Sequence, residues 1–162
     1  MKLALVRRRF TQSGGAENYT ARLAEGLCAA GYDVHLVCES WKKESPITTP
    51  YTVCELGPTG SPSAFADLAD AFFANHPFDF VFSLERIHRC DLYRAGDGVH
   101  QKWLSIKNEG RRFAAFLDGL NPKHRQILLL EKELLARKGA RHIIANSQTG
   151  AEEIQSLYGR SA

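Results

Sequence analysis

The chain has 162 residues, the size of one ordinary domain, with 44% hydrophobic and 24% charged residues and a net charge of +3, a balance that excludes disordered and fibrous polypeptides. Its four cysteines (Cys28, Cys38, Cys54, Cys90) form no C-x-x-C pair, so neither a zinc knuckle nor a disulfide framework is expected, and a reducing cytoplasm is the expected setting. The opening MKLALVRRRF sets its apolar run before its arginines, the reverse of a signal peptide, and no apolar run nears the roughly 20 residues of a membrane span.

Taken in chain order, residues 2–6 read as a short apolar strand, followed by a polar loop that holds Gly14 and Gly15. Ala16, Tyr19, Thr20, Leu23, Leu27 and Ala30 then recur at helical spacing, Gly31 stands where a helix C′ residue belongs, and residues 33–38 form a second strand. This opening is a strand, helix, strand unit. Residues 51–56 alternate like a third strand, and the loop GPTGSPS leads into a helix over 63–75 with Phe65, Leu68, Ala69 and Phe72 on one face. Fourth and fifth strands are expected over 79–83 and 91–95. Asn121 and Pro122 make an N-cap and N1 pair for a helix whose apolar stripe ends near Gly139. A sixth strand over 141–145 precedes a last helix running from Ser147 to about Tyr158. Strands alternating with helices of these lengths predict an α/β fold, a Rossmann-like parallel sheet with helices on both faces.

In such a sheet the turn after the first strand lies at the carboxyl edge, and a helix starting there offers unpaired N–H groups and a positive dipole to an anion. Gly14 and Gly15 would admit an anion close to the backbone, or would serve only to make a tight turn; the pair leaves both open. G-x-G-x-x-G is absent, and Glu39 after the second strand is the one feature in favour of a dinucleotide site and a nicotinamide-dependent oxidoreductase. A second constellation, ERIHRCDLYRAGDGVH, gathers His88, Arg89, Asp91, Asp97 and His100 around the fifth strand, with Asp97 in a Gly-Asp-Gly turn past its carboxyl end. A carboxylate there suits the orientation or deprotonation of a substrate hydroxyl, or else an Asx-turn bonding its own backbone. The His and Asp spacing fits no metal-ligand signature, so no metal is expected, and a lone Cys90 or Ser83 with no base nearby is no nucleophile.

The charge is unevenly placed. Residues 99–141 hold ten Lys/Arg against four Asp/Glu, so that a chain of +3 overall has a local excess of +6. Within it Trp103, Phe113, Phe116 and Leu117 interleave with Lys102, Lys107, Arg111, Arg112, Lys123 and Arg125. Helices lying on an anionic membrane surface carry this pattern, and so do helices with aromatic residues in the core and a basic outer face. No nucleic-acid module is legible, and no nucleic-acid partner is expected.

The stretches LALV, SGGAE, AAGYDVHLVC, DLYRAGDGVH and HIIANSQTGAEEIQSLYG, in this order, resemble the amino-terminal half of family 4 glycosyltransferases of the GT-B fold, nearest to members that glucosylate the lipopolysaccharide core. The resemblance covers essentially the whole chain. It implies that residues 1–162 form the acceptor-side Rossmann-like domain, with the donor-binding domain outside this chain, so that the fragment alone is expected to be inactive. The expected activity is retaining transfer of a hexose from a nucleotide sugar, with UDP favoured, to a lipopolysaccharide-core or other lipid-linked saccharide, without a further cofactor. Carried over by position, Gly14 and Gly15 face the donor diphosphate and Asp97 orients or deprotonates the acceptor hydroxyl; many members have a histidine near this region, a role open to His88 or His100, and His88, Arg89 and His100 are the expected acceptor contacts. Lys102, Trp103, Lys107, Arg111, Arg112, Phe113 and Phe116 are the implied contact with the inner face of the cytoplasmic membrane, where the protein would sit peripherally. The rivals are the oxidoreductase and a non-enzymatic membrane-binding module.

Overall fold

The computed structural model describes residues 1–10, 15–41 and 49–162, with all side chains there except those of residues 10, 15–17, 41, 112, 114 and 115. In chain order the elements are β1 (Lys2–Val6), β2 (Arg9–Phe10), α1 (Gly15–Ala29), β3 (Asp33–Cys38), β4 (Ser40–Trp41), β5 (Thr52–Glu55), α2 (Pro62–Asn75), β6 (Phe80–Ser83), β7 (Cys90–Ala95), α3 (His100–Lys107), α4 (Arg112–Leu120), α5 (Pro122–Leu135), β8 (Ala140–Ala145) and α6 (Gln148–Tyr158). Six strands form one parallel sheet in the order β5-β3-β1-β6-β7-β8, the doubly wound order, while β2 and β4 pair in parallel as a small extension beyond β1 and β3.

The sheet is covered on both faces, as the alternation of elements predicts. On β1 the side chains of Leu3 and Leu5 enter a layer shared with Ala24 of α1, and Ala4 and Val6 enter the opposite layer with Phe65 and Ala69 of α2 and Leu130 and Leu134 of α5. Period-two alternation therefore buries every side chain of β1 from Leu3 to Val6, and that is why it reads as a continuous apolar run. Each such leucine contributes roughly 1.5–3 kcal/mol of hydrophobic stabilisation.

Helix ends follow local chemistry. Gly31 at φ +88 closes α1, with its own N–H donating to the Cys28 carbonyl and that of Tyr32 to the Leu27 carbonyl. Ser61 caps α2 through an Oγ that accepts from the Ala64 N–H at 3.2 Å, with Pro62 as first residue, slightly ahead of the start the sequence predicts. Asn121 and Ser147 cap α5 and α6 as expected. Two features depart from expectation. The basic segment folds into α3 and α4, and β6 returns to the parallel strand β7 through residues 84–89 alone, an extended passage pinned by buried Ile87, where a crossover of a dozen residues is usual.

Candidate active site

Strand order reverses between β1 and β6, so a crevice opens outside their carboxyl ends, the position where ligands of open α/β sheets bind. Arg7 and Arg8 leave β1 there, and Glu85 and Arg86 leave β6. Arg7 Nη1 lies 3.1 Å from Glu85 Oε1. Burial pushes the Glu85 carboxyl above the usual range, with Arg7 opposing the shift and Asp97 adding to it. Arg8, Glu85, Arg86 and Asp97 wall a cleft of about 140 Å³ over an apolar floor that includes Phe65 and Leu130.

Asp97 is carried by the turn that follows β7. Gly98 takes φ +67, in the left-handed region glycine tolerates, the Asn146 side-chain amide donates to the Gly96 carbonyl at 2.8 Å, and Arg86 Nη2 donates to the Gly98 carbonyl at 2.8 Å. The Asp97 side chain is 73% exposed, 3.9 Å from Arg86 Nη1. It makes no hydrogen bond to its own turn among the described residues, so the Asx-turn reading fails and the carboxylate stands open to a ligand. Gly15 opens α1 at this same edge; Gly14 lies outside the described residues.

The remaining predicted residues do not join this cleft. His88 and Arg89 precede β7 and Asp97 follows it, so a whole strand of roughly 20 Å separates them. His88 is at the amino edge, where Nδ1 meets Glu133 Oε2 at 2.6 Å and Nε2 meets Asp67 Oδ1 at 2.8 Å, and Arg89 pairs with Asp70 at 3.2 Å. The structure places both in a charge network away from the Asp97 turn, because the six residues of β7 lie between the two halves of that constellation. Asp91 belongs to the same network, accepting from the Val81 N–H at 2.8 Å and from Arg141 at 3.0 Å. His100 does follow the Asp97 turn, but its ring stacks on Trp103 and its Nε2 lies 3.1 Å from His124 Nδ1. Burial holds this imidazole below its ordinary pKa, Arg86 adds to the depression and Glu131 opposes it, so the ring is neutral at pH 7. Cys90 is buried, its thiol pushed up to about 12. Among the described residues no three His, Cys, Asp or Glu side chains converge so as to hold a metal ion.

Glu39 is fully engaged. Its Oε2 accepts from Arg8 Nε at 2.7 Å and its Oε1 from the Thr59 N–H at 2.6 Å. Burial alone would raise its pKa, but the Thr59 amide, Arg8 and Arg9 outweigh that and hold the carboxyl below the usual range. A carboxylate at 4% exposure and held through both oxygens is not presented to a ribose hydroxyl, and the oxidoreductase reading loses its one feature.

The aromatic residues of the basic segment lie outside the core. Trp103 and Ile106 on α3 and Phe113, Phe116, Leu117 and Leu120 on α4 are all exposed, Phe113 at 75% and Phe116 at 62%. Lys102 and Arg111 are exposed beside them, and Lys107 is tied to Asp118 at 2.8 Å and lies over the Trp103 ring. No helix among the described residues is long and apolar enough to cross a membrane.

The model of Glycosyltransferase Family 4 matches residues 13–162. The chain belongs to glycosyltransferase family 4. No curated protein sequence matches it. Among solved structures, this family 4 domain is similar to WaaG, a glycosyltransferase involved in lipopolysaccharide biosynthesis, with a TM-score of 0.83 at 17% identity over 98% of this chain and 42% of that one. It is also similar to sucrose-phosphate synthase from Thermosynechococcus elongatus, with a TM-score of 0.60 at 14% identity over 97% of this chain and 45% of that one. The chain thus spans less than half the length of either structure, and at these identities the likeness establishes the fold.

Sequence reasoning about this family 4 domain missed Arg7, Arg86 and Glu131. Glu131 sits within LLLEKELL, where it reads as a solvated helix position, yet it is 1% exposed. The available signal was indirect: α3 begins after Val99, which offers no side-chain cap, and its first amides need an acceptor from elsewhere.

Proposed function

We propose that this chain is the acceptor-side domain of a retaining glycosyltransferase that moves a hexose from a nucleotide sugar, UDP-linked, to a lipopolysaccharide-core or other lipid-linked saccharide. The observation that carries this reading is the exposed Asp97 carboxylate on a fixed turn at the rim of the switch-point cleft. Asp97 accepts a hydrogen bond from the acceptor hydroxyl, directs that hydroxyl oxygen at the anomeric carbon and takes up its proton as the reaction proceeds. The bond from that carbon to the diphosphate breaks as the new one forms on the same face, and backbone N–H groups at the start of α1 meet the departing negative charge. A second domain of the native polypeptide supplies the contacts to base and donor sugar. The exposed aromatic and basic side chains of α3 and α4 favour docking on an anionic membrane, which would bring a lipid-linked acceptor to the cleft.

Transfer from UDP-glucose to a lipopolysaccharide core saccharide by the full-length protein is the test. Asp97→Asn is expected to lower kcat about 10²-fold or more with little change in donor KM. A rate like that of the wild type would contradict the assignment.

A further inference from the structure

Glu131 is the most heavily engaged carboxylate among the described residues, and it never touches the cleft directly. Its Oε2 accepts from Arg86 Nη2 at 3.1 Å and from the His100 N–H at 2.6 Å. Its Oε1 accepts from the Gln101 N–H at 3.0 Å and from the Tyr158 hydroxyl at 2.9 Å. One buried carboxylate from α5 thereby caps the N-terminus of α3, anchors the end of α6 and grips a guanidinium from the passage after β6. An ordinary cap would come from a Ser or Asp at position 99. Position 99 instead holds a valine at 2% exposure, and the cap is brought from a helix 31 positions along the chain.

This arrangement grips the Asp97 turn at two points. Just past the turn His100 is bound to Glu131 through its backbone N–H. Within the turn the same Arg86 Nη2 that meets Glu131 donates to the Gly98 carbonyl at 2.8 Å, and Arg86 Nη1 stands 3.9 Å from Asp97. Without Glu131 the guanidinium has the exposed Asp97 carboxylate as its nearest alternative partner, and His100 and Gln101 lose their acceptor. Burying a charged pair carries a desolvation cost that apolar packing at the same place would avoid, so fold stability alone is a weak reason for a glutamate here.

We propose that Glu131 is the positioning residue of the cleft: by holding Arg86 and the first amides of α3 with one carboxylate, it fixes the Gly96–Val99 turn and keeps Arg86 from closing on Asp97. The proposal deepens the transferase reading and rests on it for the role of Asp97.

The test compares Glu131→Gln with Asp97→Asn in the full-length protein, by transfer from UDP-glucose to a lipopolysaccharide core saccharide and by amide hydrogen exchange. For Glu131→Gln we expect kcat to fall at least about tenfold with donor KM within about twofold. The amides of residues 97–101 should exchange at least about tenfold faster, while those of β1 and β3 keep their wild-type rates. Glu131→Asp, which keeps the charge one methylene further back, should fall between the two, and it replaces the glutamine variant if that one fails to fold. Unchanged exchange over 97–101, or an unchanged kcat where Asp97→Asn is inactive, overturns the proposal. So does a loss of protection spread evenly over the sheet, the mark of a purely structural residue. If Asp97→Asn transfers sugar at the wild-type rate, the transferase reading of Asp97 fails, while the exchange over 97–101 still decides whether Glu131 holds the turn.

Discussion

The two edges of the sheet are equally rich in charge and differ in how that charge is spent. At the amino edge Arg89 pairs with Asp70, Arg141 with Asp91, Arg137 with Glu133, and His88 spans Asp67 and Glu133, around a cavity of about 770 Å³. At the carboxyl edge the cleft is only about 140 Å³, yet one of its carboxylates, on Asp97, is left exposed with its closest cation at 3.9 Å. Size alone would select the amino edge, and the exposed carboxylate beside the reversal of strand order selects the other.

The largest expected effect separating the edges is on turnover, where Asp97→Asn should lower kcat about 10²-fold or more. The turn beneath it is next. Gly98 at φ +67 has no atom within 4 Å of where a Cβ would stand, so Gly98→Ala should cost roughly 1–2 kcal/mol through backbone conformation alone, read as a lowered melting temperature. On the α3 and α4 surface, Lys102→Glu with Arg111→Glu should weaken sedimentation with anionic vesicles by about 1 kcal/mol or more per residue and leave binding to neutral vesicles unchanged. Equal loss on both vesicle types would remove the electrostatic part of the docking reading.

At the amino edge the effects should be small and confined to stability. Burial pushes the His88 imidazole down, but Glu133 and Asp67 on its two nitrogens outweigh this and hold the folded pKa above 6.5. The clamp's contribution is therefore fully present below pH 6.5 and is lost as pH rises through the raised folded value. Melting temperature followed from pH 6 to pH 9 should show this decline in the wild type and a flatter curve in His88→Gln. Arg89→Ala, which breaks an exposed pair, should shift stability by less than about 1 kcal/mol.

The fold was largely legible because local chemistry states it. Apolar strands buried on both faces, Gly31 after α1 and the Asn121 and Ser147 caps all write their structure into neighbouring positions. The site was less so. The turn that carries Asp97 was recoverable from Gly-Asp-Gly, whereas His88 and Arg89, close to it in sequence, are carried to the opposite edge by the length of β7. Glu131 and Arg86 are 45 positions apart, and the start of α3 was hidden because its cap comes from α5. Where a helix or a site is completed by distant partners, periodicity carries no trace of it.

The most direct measurement is the initial rate of sugar transfer by the full-length protein carrying Asp97→Asn, set beside Arg89→Ala under the same conditions. The account predicts a loss of about 10²-fold or more in the first and a rate near wild type in the second. Equal losses, or a loss only in Arg89→Ala, would contradict the placement of the working site at the carboxyl edge.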